Sequence, residues 1–258
     1  MMMRCKFGVL ATALLLLLTA NSALSQEIKA AVTSFPKIDG LIDQGHNQQA
    51  WRLLQGLPED GQNLDEKLWR MARVQYEMGR VAASDHDALV CYQNAERYAR
   101  AAIENNPDRG DGYKWLAIAL GAQAKESDTE AQIRLSREVK ESIEKAIALP
   151  PEDDIDYLVL SHWHYKVSAL DFFARTVAKI VYGGLPEASL SEAEKLLWRA
   201  IALRDRVAHR YNLAKVYERM DRREDAKAQL QMALLLPVTF PEEAEAQAKS
   251  RDKLQAWQ

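Results

Sequence analysis

The side chains that could do chemistry are few and poorly spaced for it. His162 and His164 stand two apart in a helical stretch, about 200° around its axis, so they face nearly opposite sides and cannot chelate one metal ion together. The carboxylate pairs Asp153-Asp154 and Glu242-Glu243 follow prolines at the starts of expected helices, where the helix dipole accounts for them without acid–base catalysis. No HExxH, CxxC, GxSxG or phosphate-cradling glycine loop occurs, and Gly183-Gly184 leads into Leu185-Pro186 as a helix break. No catalytic residue, metal ligand or cofactor site is therefore expected, and a binding protein is favoured over an enzyme.

Binding residues are expected between 163 and 182. There Trp163, Tyr165, Phe172 and Tyr182 alternate with Lys166, Arg175 and Lys179, an apolar excess with interleaved cations. Such a set suits a groove for a protein or peptide partner, or a pocket for a lipid or other amphipathic ligand; a long helix packed on both sides is the structural alternative. Trp69, Tyr76, Tyr113, Trp115 and Tyr217 fall instead at or beside packing positions of a repeat. The mixed-sign run Glu218 to Asp225 reads as a solvated turn.

These residues must be carried by helices. Glycine (11) and proline (8) are scarce, and the segment Ala101-Ala102-Ile103-Glu104-Asn105-Asn106-Pro107 returns as Lys145-Ala146-Ile147-Ala148-Leu149-Pro150-Pro151. Weaker copies are Arg199-Ala200-Ile201-Ala202-Leu203 and Met232-Ala233-Leu234-Leu235-Leu236-Pro237. Each ends a helix, and the recurring alanine lets two antiparallel helices approach closely. In the clearest unit, Leu213, Ala214 and Tyr217 on one helix face Ala226, Leu230 and Ala233 on the next, at the spacing of the 34-residue tetratricopeptide pattern. Ile38, Leu41, Ile42, Gly45, Ala50, Leu53 and Leu54 open the stack. Units beginning near Trp69 and Tyr113 carry about ten surplus residues, around Gly79 to Ala88 and Gln123 to Glu130. The fold class is all-α: a tetratricopeptide-like α-solenoid of about five helical hairpins with a capping helix from about Glu242 to Trp257.

Residues 1–25 read as a secretory signal, with Arg4 and Lys6 before the apolar run Phe7 to Leu18 and Ala23-Leu24-Ser25 as the cleavage site. Twelve apolar residues are short of the roughly 20 that span a bilayer, so no transmembrane segment is expected after cleavage. Residues 26–36 would be a linker and 37–258 one repeat domain, in a secreted, periplasmic protein. Cleavage would remove two basic residues and no acidic one, making the net charge of −3 more negative, and nucleic acid is not an expected partner. Cys91 would be the only cysteine left, so the core must hold the fold without an internal disulfide.

Several segments resemble one family, the regulators of microtubule dynamics. They are Leu68-Trp69-Arg70-Met71-Ala72-Arg73, Tyr113-Lys114-Trp115-Leu116-Ala117, His162-Trp163-His164-Tyr165-Lys166-Val167, and Gly183-Gly184-Leu185-Pro186 followed by Ala193 to Ile201. The resemblance covers roughly residues 65 to 240. It implies a tetratricopeptide-like domain, and roles at microtubules, spindle poles or organelle contacts, with one member similar to a lipid-binding tether between membranes. The export signal implies a bacterial homologue with another partner.

Overall fold

A computed structural model describes residues 35–58, 63–170, 176, 179 and 183–257 of the chain. Among these residues there are helices and no strand. The expected signal sequence, residues 1–25, and most of the expected linker, residues 26–34, lie outside the described residues; 35 and 36 already belong to a helix.

The helices follow one another as antiparallel pairs. A first pair is α1 (35–43) and α2 (Asn47–Gln55). Next come α3 (Leu64–Arg80) with α4 (Asp85–Asn105), and α5 (Gly110–Gln123) with α6 (Thr129–Ala148). α7 (Asp154–Val167) pairs with α8 (Leu190–Leu203), and α9 (Val207–Arg219) with α10 (Arg223–Leu235). The last helix, α11 (Pro241–Ala256), packs on both α9 and α10 and closes the stack.

Local chemistry sets these boundaries. Gly45 turns α1 into α2 at φ 77°, a region that costs residues with a Cβ atom but not glycine. Ser84, Asp128, Asp153 and Ser189 cap α4, α6, α7 and α8 by accepting a backbone N–H in the first turn. The surplus of the second and third units goes mainly into helix: α3, α4 and α6 run 17, 21 and 20 residues. α3 and α4 cross so closely that a Cβ on Gly79 would meet the Tyr92 ring at 2.6 Å.

The repeat positions form the core. Ala102, Ala146, Ala200 and Ala233 are at most 3% exposed, as are Leu213, Ala214, Tyr217, Ala226 and Leu230. Three apolar clusters succeed each other along the stack, centred on Ile38 and Val74, on Leu120 and Ile143, and on Leu197 and Leu213. Successive first helices touch one another, α3 with α5, α5 with α7, α7 with α9 and α9 with α11, whereas among the described residues the second helices have no comparable mutual contact. The layer whose members stand closest together is the inside of the curve, so the first helices line a concave face.

Candidate functional site: the concave face

Along the inner layer runs a polar seam that ties each first helix to the next. Arg70 on α3 grips Asp39 on α1 through both carboxylate oxygens, at 2.8 and 2.7 Å. Arg109 reaches from Glu66 to Asp111, and Lys114 on α5 bonds Asp111 at 2.9 Å and Asp153, the cap of α7, at 2.7 Å. Asp154 accepts from Arg206 at 2.5 Å and bonds His209 Nε2 at 2.8 Å. Burial would raise the Asp154 pKa, but hydrogen bonds from His209 and Arg206 outweigh it and lower it to about 2. Burial likewise opposes the charge of Lys114, and Asp111, Asp153 and Asp156 together prevail and raise its pKa. Glu243 closes the seam by accepting from the Thr239 backbone and hydroxyl, each at 2.7 Å. The Asp153-Asp154 and Glu242-Glu243 pairs thus sit at helix starts as the sequence suggests; Asp154 also joins repeat to repeat through Arg206 and His209, while Glu243 caps α11 locally.

Beyond the seam, α7 and α9 present a different inner surface. His162, Tyr165 and Lys166 on α7 face Tyr211, Lys215 and Arg219 on α9. The Lys215 ammonium lies 5.0 Å from the Tyr165 ring centre and 5.8 Å from that of Tyr211. The Arg219 guanidinium stands 4.7 Å over Tyr165 and donates to the Tyr165 carbonyl at 2.6 Å. The His162 ring centre is 6.5 Å from that of Tyr165. The His162 ring keeps an accessible edge but is surrounded by protein in the hollow; that desolvation first, and then Lys215, Lys166 and Lys125, lower its pKa, so the ring is neutral at pH 7.

The residues expected to form a groove divide accordingly. Tyr165 and Lys166 are on the concave face, Tyr165 half-buried and Lys166 exposed. Trp163 points the other way, is 5% exposed, and donates through Nε1 to the Ser136 carbonyl and hydroxyl at 2.8 and 3.0 Å. It is a packed core residue. Lys179 is exposed, and its Cα and side chain lie against Gly184. Phe172, Arg175 and Tyr182 lie outside the described residues. His162 and His164 do face opposite ways: His164 is 8% exposed and takes the Ser189 N–H on Nδ1 at 3.4 Å. Among the described residues no three His, Cys, Asp or Glu side chains are grouped to hold a metal ion, and no helix is long and apolar enough to cross a membrane.

Sequence reasoning missed Tyr211, Lys215 and Arg219. The signal was present: Leu213 matches Leu160 in the repeat, and at the same offset Tyr211, Lys215 and Arg219 match Leu158, His162 and Lys166. One inward stripe is therefore written twice.

Paired antiparallel helices stacked into a curved array, with small residues at fixed offsets, define a tetratricopeptide-type solenoid. A thermophilic TPR protein of Thermus thermophilus superposes at a TM-score of 0.64 over 86% of this chain and 98% of that one, at 19% identity, which speaks to the fold alone. The model of the family "Regulator of microtubule dynamics protein 1-3" matches residues 34–258, and the chain belongs to that family. Regulator of microtubule dynamics protein 3 of Xenopus laevis is 30% identical over 193 residues, 74% of this chain and 42% of that relative. Protein 1 of Bos taurus is 28% identical over 163 residues, 63% of this chain and 51% of that relative. Human protein 2 is 25% identical over 214 residues, 82% of this chain and 52% of its own length. The chain spans about half the length of these relatives.

Proposed function

We propose that this chain is a non-enzymatic protein-binding scaffold that holds an extended segment of a partner along the concave face of α7, α9 and α11. The observation that carries the reading is the contrast on that face. The seam cations Arg70, Arg109, Lys114 and Arg206 all end on carboxylates. Lys166 and Lys215, beside Tyr165 and Tyr211, end on none among the described residues. Aromatic faces and unspent cations on a rigid inner surface are what a bound peptide can use. Solidly packed Trp163 supports this reading over a lipid or small apolar ligand carried in a pocket between residues 163 and 182.

A photo-crosslinking residue at His162, compared with one at exposed Lys195 on α8, tests the proposal in the native cell. Adducts with another protein are expected from position 162 and not from 195. Adducts from both alike, or from neither, would contradict it.

The relatives' names connect them with microtubule dynamics, and family membership makes that role one candidate for this chain. Export through residues 1–25 to a periplasm, which is part of our proposal, would place a different partner in reach. Fusing residues 1–40 to alkaline phosphatase tests it: enzyme activity requires export, and an inactive cytoplasmic fusion would remove that part.

A further inference from the structure

The inner surface of α7, α9 and α11 holds more positive charge than its own carboxylates neutralise. Lys249 and Lys253 on α11 are paired with Glu245, at 2.6 Å, and with Glu218. Lys125, Lys166 and Lys215 have no carboxylate at ion-pairing distance among the described residues, and Arg219 is held by a backbone carbonyl. The surplus is local, because the whole chain has a net charge of −3.

Crowded ammonium groups repel, and Lys215 registers the strain. Burial, then Lys166, Lys249 and Lys253, lower its pKa, with Glu218 opposing. A bound anion would relieve that repulsion. The adjoining tyrosine rings offer apolar faces for a neighbouring side chain, and neutral His162 can donate or accept a hydrogen bond. The unpaired cations come from just past the end of α5 (Lys125), from α7 (Lys166) and from α9 (Lys215), three successive inner helices, so they follow the hollow of the stack. An extended chain can track such a surface, whereas a flat bilayer cannot enter it.

We infer that the segment taken up by this face is acidic: an extended peptide whose carboxylates meet Lys166 and Lys215, with an apolar or aromatic side chain against Tyr165 and Tyr211. The inference rests on the proposed protein-binding role of the concave face.

Selection of random 12-residue peptides on the purified full chain tests it. Recovered binders are expected to be enriched in Asp and Glu around an apolar residue. Their affinity should fall as salt rises. Lys166→Glu with Lys215→Glu should weaken them about tenfold or more, a change of about 1.4 kcal/mol in binding. Lys215→Met keeps the stem over Tyr165 and removes the charge. It should also weaken binding, without lowering the melting temperature, which separates recognition from unfolding.

Binders without acidic enrichment, or acidic binders indifferent to both variants and to salt, would overturn the charge assignment and leave the scaffold reading standing. Recovery of no binder, together with charge-dependent sedimentation on vesicles of 70% phosphatidylcholine and 30% phosphatidylglycerol, would overturn both in favour of a lipid headgroup. Failure of both arms would also overturn both.

Discussion

Two aspartates two residues apart on α7 are driven in opposite directions by their surroundings. Asp156 is 2% exposed and its Oδ1 has no hydrogen-bond partner; burial, against the pull of Lys114, raises its pKa from 3.8 to about 8. The folded state therefore holds a proton that the unfolded chain releases. The stability Asp156 contributes is full below about pH 4 and is lost as pH rises towards about 8. Asp156→Asn should flatten the pH dependence of urea midpoints across that window and exceed the native chain at pH 8. An unchanged profile would contradict the assignment. Asp154 behaves oppositely: with its pKa lowered from 3.8 to about 2, its contribution is present above about pH 4 and disappears as pH falls to about 2. Asp154→Asn should cost stability at pH 7 and little near pH 2. The sequence places both carboxylates at a helix start, where the dipole explains them. Their separate fates depend on Arg206 and His209, which come 52 and 55 residues later than Asp154 and meet it only when the repeats stack.

At the scale of elements, the alanines decide how closely the helices approach. Ala146 is 0% exposed where α6 meets its neighbours, and the Cβ of a residue at Gly110 would come within 2.9 Å of the Ala146 carbonyl. Ala146→Leu should force the pair apart and cost about 1–3 kcal/mol, read from chemical denaturation, with a neutral result counting against close packing there. Spacing made this legible: small residues at fixed offsets, closed by Pro107 or Pro151, mark each hairpin without knowledge of its partner. Surplus residues in the middle units were legible as a count. Their form was not, since Gly79 to Ala88 carries signals for both helix and loop, and the structure continues α3 to Arg80 before a short turn capped by Ser84. Trp163 was misleading for a related reason. It differs from its neighbour Tyr165 only in which side of α7 it occupies, and a bond to Ser136 on α6 settles that side.

For the whole molecule, stability should behave as a chain of neighbouring interfaces, because each pair of helices touches mainly the next. Deleting residues 241–258 would uncover α9 and α10, remove the Glu243 cap from the end of the seam and, among the described residues, break one ion pair reaching back to α3, Arg80 at its end with Glu242 at 3.2 Å. Hydrogen exchange should then accelerate in α9 and α10 and remain slow in α3 to α6; a uniform loss of protection would contradict nearest-neighbour behaviour. The same curvature that places α3, α5, α7, α9 and α11 inside gives the molecule one hollow surface. Its α7–α9 stretch is the part that combines tyrosines with unneutralised cations, with the paired lysines of α11 alongside. Amide chemical-shift mapping with a peptide recovered by selection tests this most directly. Perturbations confined to 158–166 on α7, 211–219 on α9 and 249–253 on α11 are the predicted result, and perturbations centred on the outer helices α4, α6 or α8 would contradict the account.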